Sequence, residues 1–238
     1  MSTESSHPRR PFVARGSRVE RCESCLLTRR TCICDFRIQV QAQARFCLLT
    51  HRKEFYKPTN TGRLIAEALA GTEVLEWSRT EPCARLTELL ADPSLAPCIV
   101  FPPADDYQQR MISQPAVADG RTPLFIIPDG TWRQARRIFR HSRYLDGLPV
   151  ISLQQAMDSR YHLRKKIEAD QLCTAEVAIA MLNQIGDCHS ADVLDAYFDI
   201  FNEHYRASRL SRPLQPEQPA KLFLQALQAG AVTCAVPG

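Results

Sequence analysis

Short, mostly apolar runs alternate along this chain with stretches whose apolar residues recur every three or four positions. The runs at 46–49, 73–75, 98–101, 124–127 and 150–153 predict buried strands, each bounded by polar residues or proline. Between them, helical spacing occupies 61–71, 82–91 and 131–143. Strand and helix in alternation predict an α/β domain with a mainly parallel sheet. The last third changes character, with helical patterns over 174–186, 190–208 and 216–229. Leu194, Tyr197, Phe198, Phe201 and Tyr205 share one face of the second of these and are expected in the core.

The flanks divide the chain further. Residues 1–18 are rich in Ser, Pro and Arg and read as a disordered basic leader; 19–37 are a cysteine-rich knuckle; 38–210 are the α/β domain; 211–238 are a C-terminal helix and tail. No apolar stretch approaches the roughly 18 residues of a membrane span, and the N-terminus has no apolar signal core. The expectation is a cytoplasmic protein with reduced thiols, no membrane partner, and a monomeric or homodimeric state.

Charge sharpens this picture through its placement rather than its sum. The net formal charge is +4, yet residues 1–60 carry +7 and residues 129–166 carry +6, leaving −9 on the remainder. Two basic segments in an otherwise acidic chain point to a polyanion touched at two places.

Three segments carry candidate chemistry. Cys22-x2-Cys25-x6-Cys32-x-Cys34 offers four thiols within 13 residues. Zn²⁺ in structural sites takes four such ligands in a tetrahedron, and the neighbouring Arg21, Arg29 and Arg30 would offset the surplus thiolate charge. The role expected is structural, because so short a segment buries too little surface to fold unaided. The other six cysteines read as small buried hydrophobes.

After the first predicted strand, His51, Glu54, Lys57, Thr59, Asn60, Thr61 and Arg63 follow in close order. The end of a buried strand is where α/β proteins place their sites. His51 and Glu54 could share a proton or hold each other, and Thr59, Asn60 or Thr61 could cap the next helix.

The apolar strand 124–127 runs into Pro128-Asp129-Gly130-Thr131-Trp132. Pro128 is expected to end the strand, and Asp129 or Thr131 to cap the helix that follows. A carboxylate at that cap would be kept ionised by the helix dipole. Arg133, Arg136, Arg137 and Arg140 line one face of this helix, without acids beside them, and suit a phosphate backbone. Trp132 either stacks on a base or packs in the core.

These segments, with Phe101-Pro102-Pro103, Tyr161-x2-Arg164-Lys165 and Leu172-Cys173-Thr174-x-Glu176, occur in order from about residue 20 to 210 and together resemble the DTW-domain family of tRNA-uridine aminocarboxypropyltransferases. The resemblance implies a SPOUT-like fold with a C-terminal trefoil knot. It implies S-adenosylmethionine (SAM) as donor, tRNA as partner, and transfer of the 3-amino-3-carboxypropyl group to N3 of a variable-loop uridine. Asp129, Thr131 and Trp132 would then be catalytic, with Asp129 accepting the N3 proton or holding the donor's amino group. Phe101, Pro102, Pro103, Asp129, Trp132, Leu172, Thr174 and Glu176 would frame the donor. His51, Glu54, Lys57, Asn60, Thr61, Arg63, the four arginines, Tyr161, Arg164 and Lys165 would meet the tRNA or the donor carboxylate. The competing expectations are a SPOUT-type tRNA methyltransferase and a non-catalytic zinc-knuckle RNA-binding protein.

Overall fold

The computed structural model describes residues 19–115, 120–154, 159–161 and 172–230. Among these, six strands form one sheet: β1 (Arg45–Thr50), β2 (Glu73–Glu76), β3 (Leu95–Val100), β4 (Met111–Ile112), β5 (Thr122–Asp129) and β6 (Val150–Ile151). Their order is β2-β1-β5-β3-β6-β4, and every pairing is parallel. The helices are α1 (Gly62–Ala68), α2 (Ala84–Ala91), α3 (Trp132–His141), α4 (Thr174–Gln184), α5 (Cys188–Leu210) and α6 (Pro219–Gln228). Each predicted strand and helix is present; β4, two residues long, carries too little pattern to be seen in the sequence.

The apolar runs are continuous because both faces of the sheet are covered. Phe46, Leu48, Phe125, Ile127, Cys98 and Val100 point into one core with α1, α4 and α5. Cys47, Leu49, Leu124, Ile126 and Ile99 alternate with them and point into a second core with α2 and α3. The aromatic stripe of α5 is core as expected, with Tyr197, Phe198 and Phe201 fully buried.

This layering creates one special place. β1 leads through α1 to β2 on one side of it, and β5 leads through α3 to β6 on the other side. α1 and α3 lie on opposite faces. Connections therefore diverge between the adjacent strands β1 and β5, and a crevice opens at their carboxyl ends.

One local expectation is corrected. Pro128 does not end its strand: Leu49 pairs with Pro128 and Thr50 with Asp129. The pairing of β5 with β3 reaches only Ile126, so the strand continues with β1 as its partner where proline lacks an N–H to give.

The cysteine segment packs on the far end of the chain. Cys25, Leu27 and Ile33 are buried in the core shared with α5. His204 on α5 donates from Nδ1 to the carbonyl of Thr31 at 3.2 Å. Gln228 on α6 donates to the carbonyls of Asp35 and Arg37 at 3.0 and 3.1 Å. Among the described residues no helix is long and apolar enough to cross a membrane.

Candidate active site

Because β5 continues through Pro128, Asp129 keeps the strand's alternation and points to the same face as Phe125 and Ile127, toward α1 and α4. Its side chain is 1% exposed. Thr50 Oγ1 donates to Oδ2 at 3.1 Å, Asn60 Nδ2 to Oδ2 at 2.8 Å, and Thr174 Oγ1 to Oδ1 at 2.7 Å. The carboxylate thus ties the end of β1, the start of α1 and the start of α4 to β5. Burial pushes its carboxyl above the usual value; hydrogen bonds from Asn60, Thr174 and Thr50 pull against that, and Glu54 adds to it. Of the two capping candidates Thr131 is the cap, and the Asp129 side chain is turned inward.

The contact with α1 depends on Gly62. A Cβ there would lie 2.9 Å from Asp129 Cγ and from both carboxylate oxygens. Gly62→Ala is expected to cost about 1–3 kcal/mol through overpacking against a group that cannot retreat. Thermal denaturation checks this, and an unchanged Tm would show that α1 can slide away.

Thr131 begins α3 with a capping box. Its Oγ1 accepts from the Gln134 backbone N–H at 3.4 Å, and its own N–H and Oγ1 both meet Gln134 Oε1 at 2.7 Å. The other end of the Gln134 amide reaches His51 Nδ1 at 3.1 Å, which also receives the Lys53 N–H at 3.2 Å. His51 follows β1, and its N–H bonds the Asp129 carbonyl at 3.0 Å, so the residue stands at the carboxyl ends of β1 and β5. It stacks on Trp77 at 6.3 Å. His51 and Glu54 are not a pair: Glu54 is fully buried and takes Lys57 Nζ at 2.5 Å. Gln134 was missed in the sequence among its arginine neighbours, although Thr-x-x-Gln before a helix is a capping signal.

Trp132 is half-buried and stacks on Phe101 at 5.6 Å with the planes 12° apart. Phe101 also stacks on Phe139 at 4.2 Å. Trp132 is therefore seated in an aromatic cluster, and the Arg136 guanidinium lies 5.5 Å from its ring centre. Arg137 similarly covers Trp77 at 5.9 Å. Arg133, Arg136, Arg137 and Arg140 are all exposed, and none has a carboxylate partner among the described residues. Pro102 and Pro103 are exposed beside this cluster.

Several of the expected ligands also hold the frame. Asn60 Oδ1 accepts from the Arg63 N–H at 3.1 Å, so Asn60 caps α1 while its amide nitrogen serves Asp129. Thr61 Oγ1 accepts from the Ala175 N–H at 3.3 Å, joining α1 to α4. The Arg63 side chain runs inward, reaching the Pro58 carbonyl at 3.5 Å. Tyr161, expected at a substrate anion, is instead 2% exposed and donates to the Thr59 carbonyl at 2.6 Å. Glu176, expected at the donor, is buried and accepts from Cys173 N, Arg160 N and Ser159 Oγ at 2.8, 2.6 and 2.8 Å. Leu172 is half-buried just before α4. Arg164 and Lys165 lie outside the described residues. What the structure brings together is the set of loops after β1, β3 and β5 and the start of α4.

The four thiols of Cys22, Cys25, Cys32 and Cys34 lie within 4.8 Å of one another. Cys22 and Cys34 are 3.6 Å apart, and Cys25 and Cys32 are 3.7 Å apart. A tetrahedral Zn–S bond of about 2.3 Å requires sulfurs about 3.8 Å apart, so the cluster fits such an ion. Arg37 Nη2 stands 3.7 Å from Cys34 Sγ and supplies positive charge beside the thiolates. These four cysteines form a cluster that can hold a metal ion.

No solved structure matches the chain. The family model of the DTW domain matches residues 19–206, from the cysteine segment to the last turns of α5. Both the cysteine cluster and the crevice around Asp129–Trp132 fall inside that span, so the chain belongs to the DTW-domain family, a membership consistent with a role in tRNA modification.

Proposed function

We propose that the protein transfers the 3-amino-3-carboxypropyl group of SAM to N3 of a uridine in the tRNA variable loop, releasing methylthioadenosine. The observation that carries this reading is the switch point between β1 and β5. It lies at the carboxyl ends of a parallel sheet and is framed by the loops after β1, β3 and β5 and the start of α4. Small ligands of such sheets bind at that place.

SAM supplies a sulfonium that activates the propyl carbon. The uridine N3 loses its proton to water and attacks that carbon in line with the carbon–sulfur bond. The bonding pair returns to sulfur, and neutral methylthioadenosine leaves. The protein's share is positioning. Asp129 fixes the three loop starts from behind. Trp132 and the flanking residues 101–103 offer an aromatic wall for adenine or uracil. The arginines of α3 hold the tRNA backbone, and a C-terminal trefoil knot would close the donor site. Cys22, Cys25, Cys32 and Cys34 would hold a structural Zn²⁺.

Mass analysis of nucleosides from tRNA incubated with enzyme and SAM tests the reaction. Aminocarboxypropyluridine with methylthioadenosine is the expected result. Methyluridine with S-adenosylhomocysteine would make the protein a methyltransferase instead, and an unchanged tRNA would remove the enzyme reading.

Reversing charge on the exposed face gives a separate check. Arg136→Glu with Arg137→Glu is expected to weaken tRNA binding at least tenfold and to lower the salt slope by about one per arginine. Filter binding over a salt series measures both; an unaltered slope would move the RNA to another face.

A further inference from the structure

The amide of Gln134 has one possible orientation. Its Oε1 is 2.7 Å from the backbone N–H of Thr131, a group that only donates, so the amide oxygen must be on that side. Nε2 is then the atom 3.1 Å from His51 Nδ1. An amide nitrogen only donates, so Nδ1 accepts, and it accepts the Lys53 N–H as well. A ring nitrogen that receives two donors carries no proton of its own. The proton of His51 therefore sits on Nε2, at the other edge of the ring. The neighbouring turn is shaped for this: a Cβ on Gly130 would lie 2.9 Å from Gln134 Cβ and 3.0 Å from its Oε1.

We propose that Gln134 is a positioning residue that locks His51 as a neutral Nε2–H donor, and that this N–H bonds the uracil oxygen beside the nucleophilic N3. The role rests on the transfer reading given above. As N3 gives its proton to water, negative charge spreads onto the two flanking carbonyl oxygens. A fixed N–H aimed at one of them stabilises the charged base without taking a proton. The N3 pair then forms the new bond to carbon as the carbon–sulfur pair passes to sulfur.

The surroundings favour the neutral ring. Burial leads in lowering the imidazole's proton affinity; Glu54 opposes it, while Arg137 from α3 and Lys53 and Lys57 from the same loop add to it. Because the folded value is lowered, protonation at Nδ1 is resisted until the pH falls through that value. Both contacts then break, and activity is expected to be lost on that acid side.

Gln134→Glu separates this role from capping. The carboxylate still accepts the Thr131 N–H, so the capping box is kept, but it presents an oxygen to His51 Nδ1 and draws the proton there. Nitrogen-15 NMR of the full chain is expected to show Nε2–H in the wild type and neutral Nδ1–H in the variant. The kcat should fall about 100-fold, the scale of losing one charge-stabilising donor, with KM for SAM unchanged. His51→Ala should match that loss, and His51→Gln, which keeps an N–H, should recover part of it. A wild-type ring protonated on Nδ1 overturns the proposal, and so does full kcat in a Gln134→Glu variant whose tautomer has switched. Wild-type protein that makes no aminocarboxypropyluridine overturns the transfer reading and the role of the N–H with it, while the NMR result still decides what Gln134 does to the ring.

Discussion

Asp129→Ala is expected to lower stability by about 3 kcal/mol and to abolish transfer at the same time. Thr50, Asn60 and Thr174 lose their shared acceptor together. Orphaned buried donors cost about 1–3 kcal/mol each, and relief of the desolvated carboxyl offsets part of that sum. For a protein of this size the Tm should fall by about 10 °C. Transfer fails because the loop starts that Asp129 joins no longer share one anchor. A variant that keeps its Tm and loses only activity would place the carboxylate at the substrate as a proton acceptor. The comparison with Asp129→Asn adds a pH test. A carboxyl whose folded pKa is raised stabilises most below its ordinary value, about 4, and that contribution is lost as pH rises through the raised value. Wild-type stability relative to Asp129→Asn should therefore decline upward from about pH 4, as chemical denaturation at several pH values will measure.

Removing the proposed zinc should have a still larger effect. Structural zinc supplies on the order of 10 kcal/mol to segments that cannot fold alone. The cysteine segment here also buries Cys25, Leu27 and Ile33 against α5, so losing it uncovers the core beneath. Chelation, or Cys25→Ser, is expected to lower the Tm by more than about 10 °C and to expose apolar surface to a hydrophobic dye. Loss of about one equivalent of zinc, followed during chelation, should track the unfolding signal. A chelated protein with its Tm intact would show that the four thiols pack without needing an ion.

Period and punctuation made the sheet and helices legible, because both faces of the central strands β1, β3 and β5 are buried and their apolar runs stand out. The place of the site was legible too, since polar groups at strand ends have few other uses. Roles within it were less so, and Asp129 shows why. One extra residue of pairing beyond Pro128 decides which face its side chain takes, and proline at that point argues for the opposite. Tyr161 and Glu176 are ligands only by what the resemblance implies. Their partners, the Thr59 carbonyl and the backbone of residues 160 and 173, are brought to them by the fold. Gln134 carried a visible capping signal, but its second bond is to His51, 83 residues earlier, which no local pattern encodes.

The docking of the cysteine segment on the C-terminal helices also sets an order of events at the ribosome. Gln228 clasps Asp35 across a separation of 193 residues, and His204 meets Thr31 across 173. At about 5–20 residues per second, roughly 10–40 s pass between synthesis of the four cysteines and arrival of their platform. During that wait the thiols are made but not sheltered. Burial of the cysteine segment is thus a late step, completed only when α5 and α6 emerge, and any pause in translation before α6 lengthens the time in which those thiols can be oxidised.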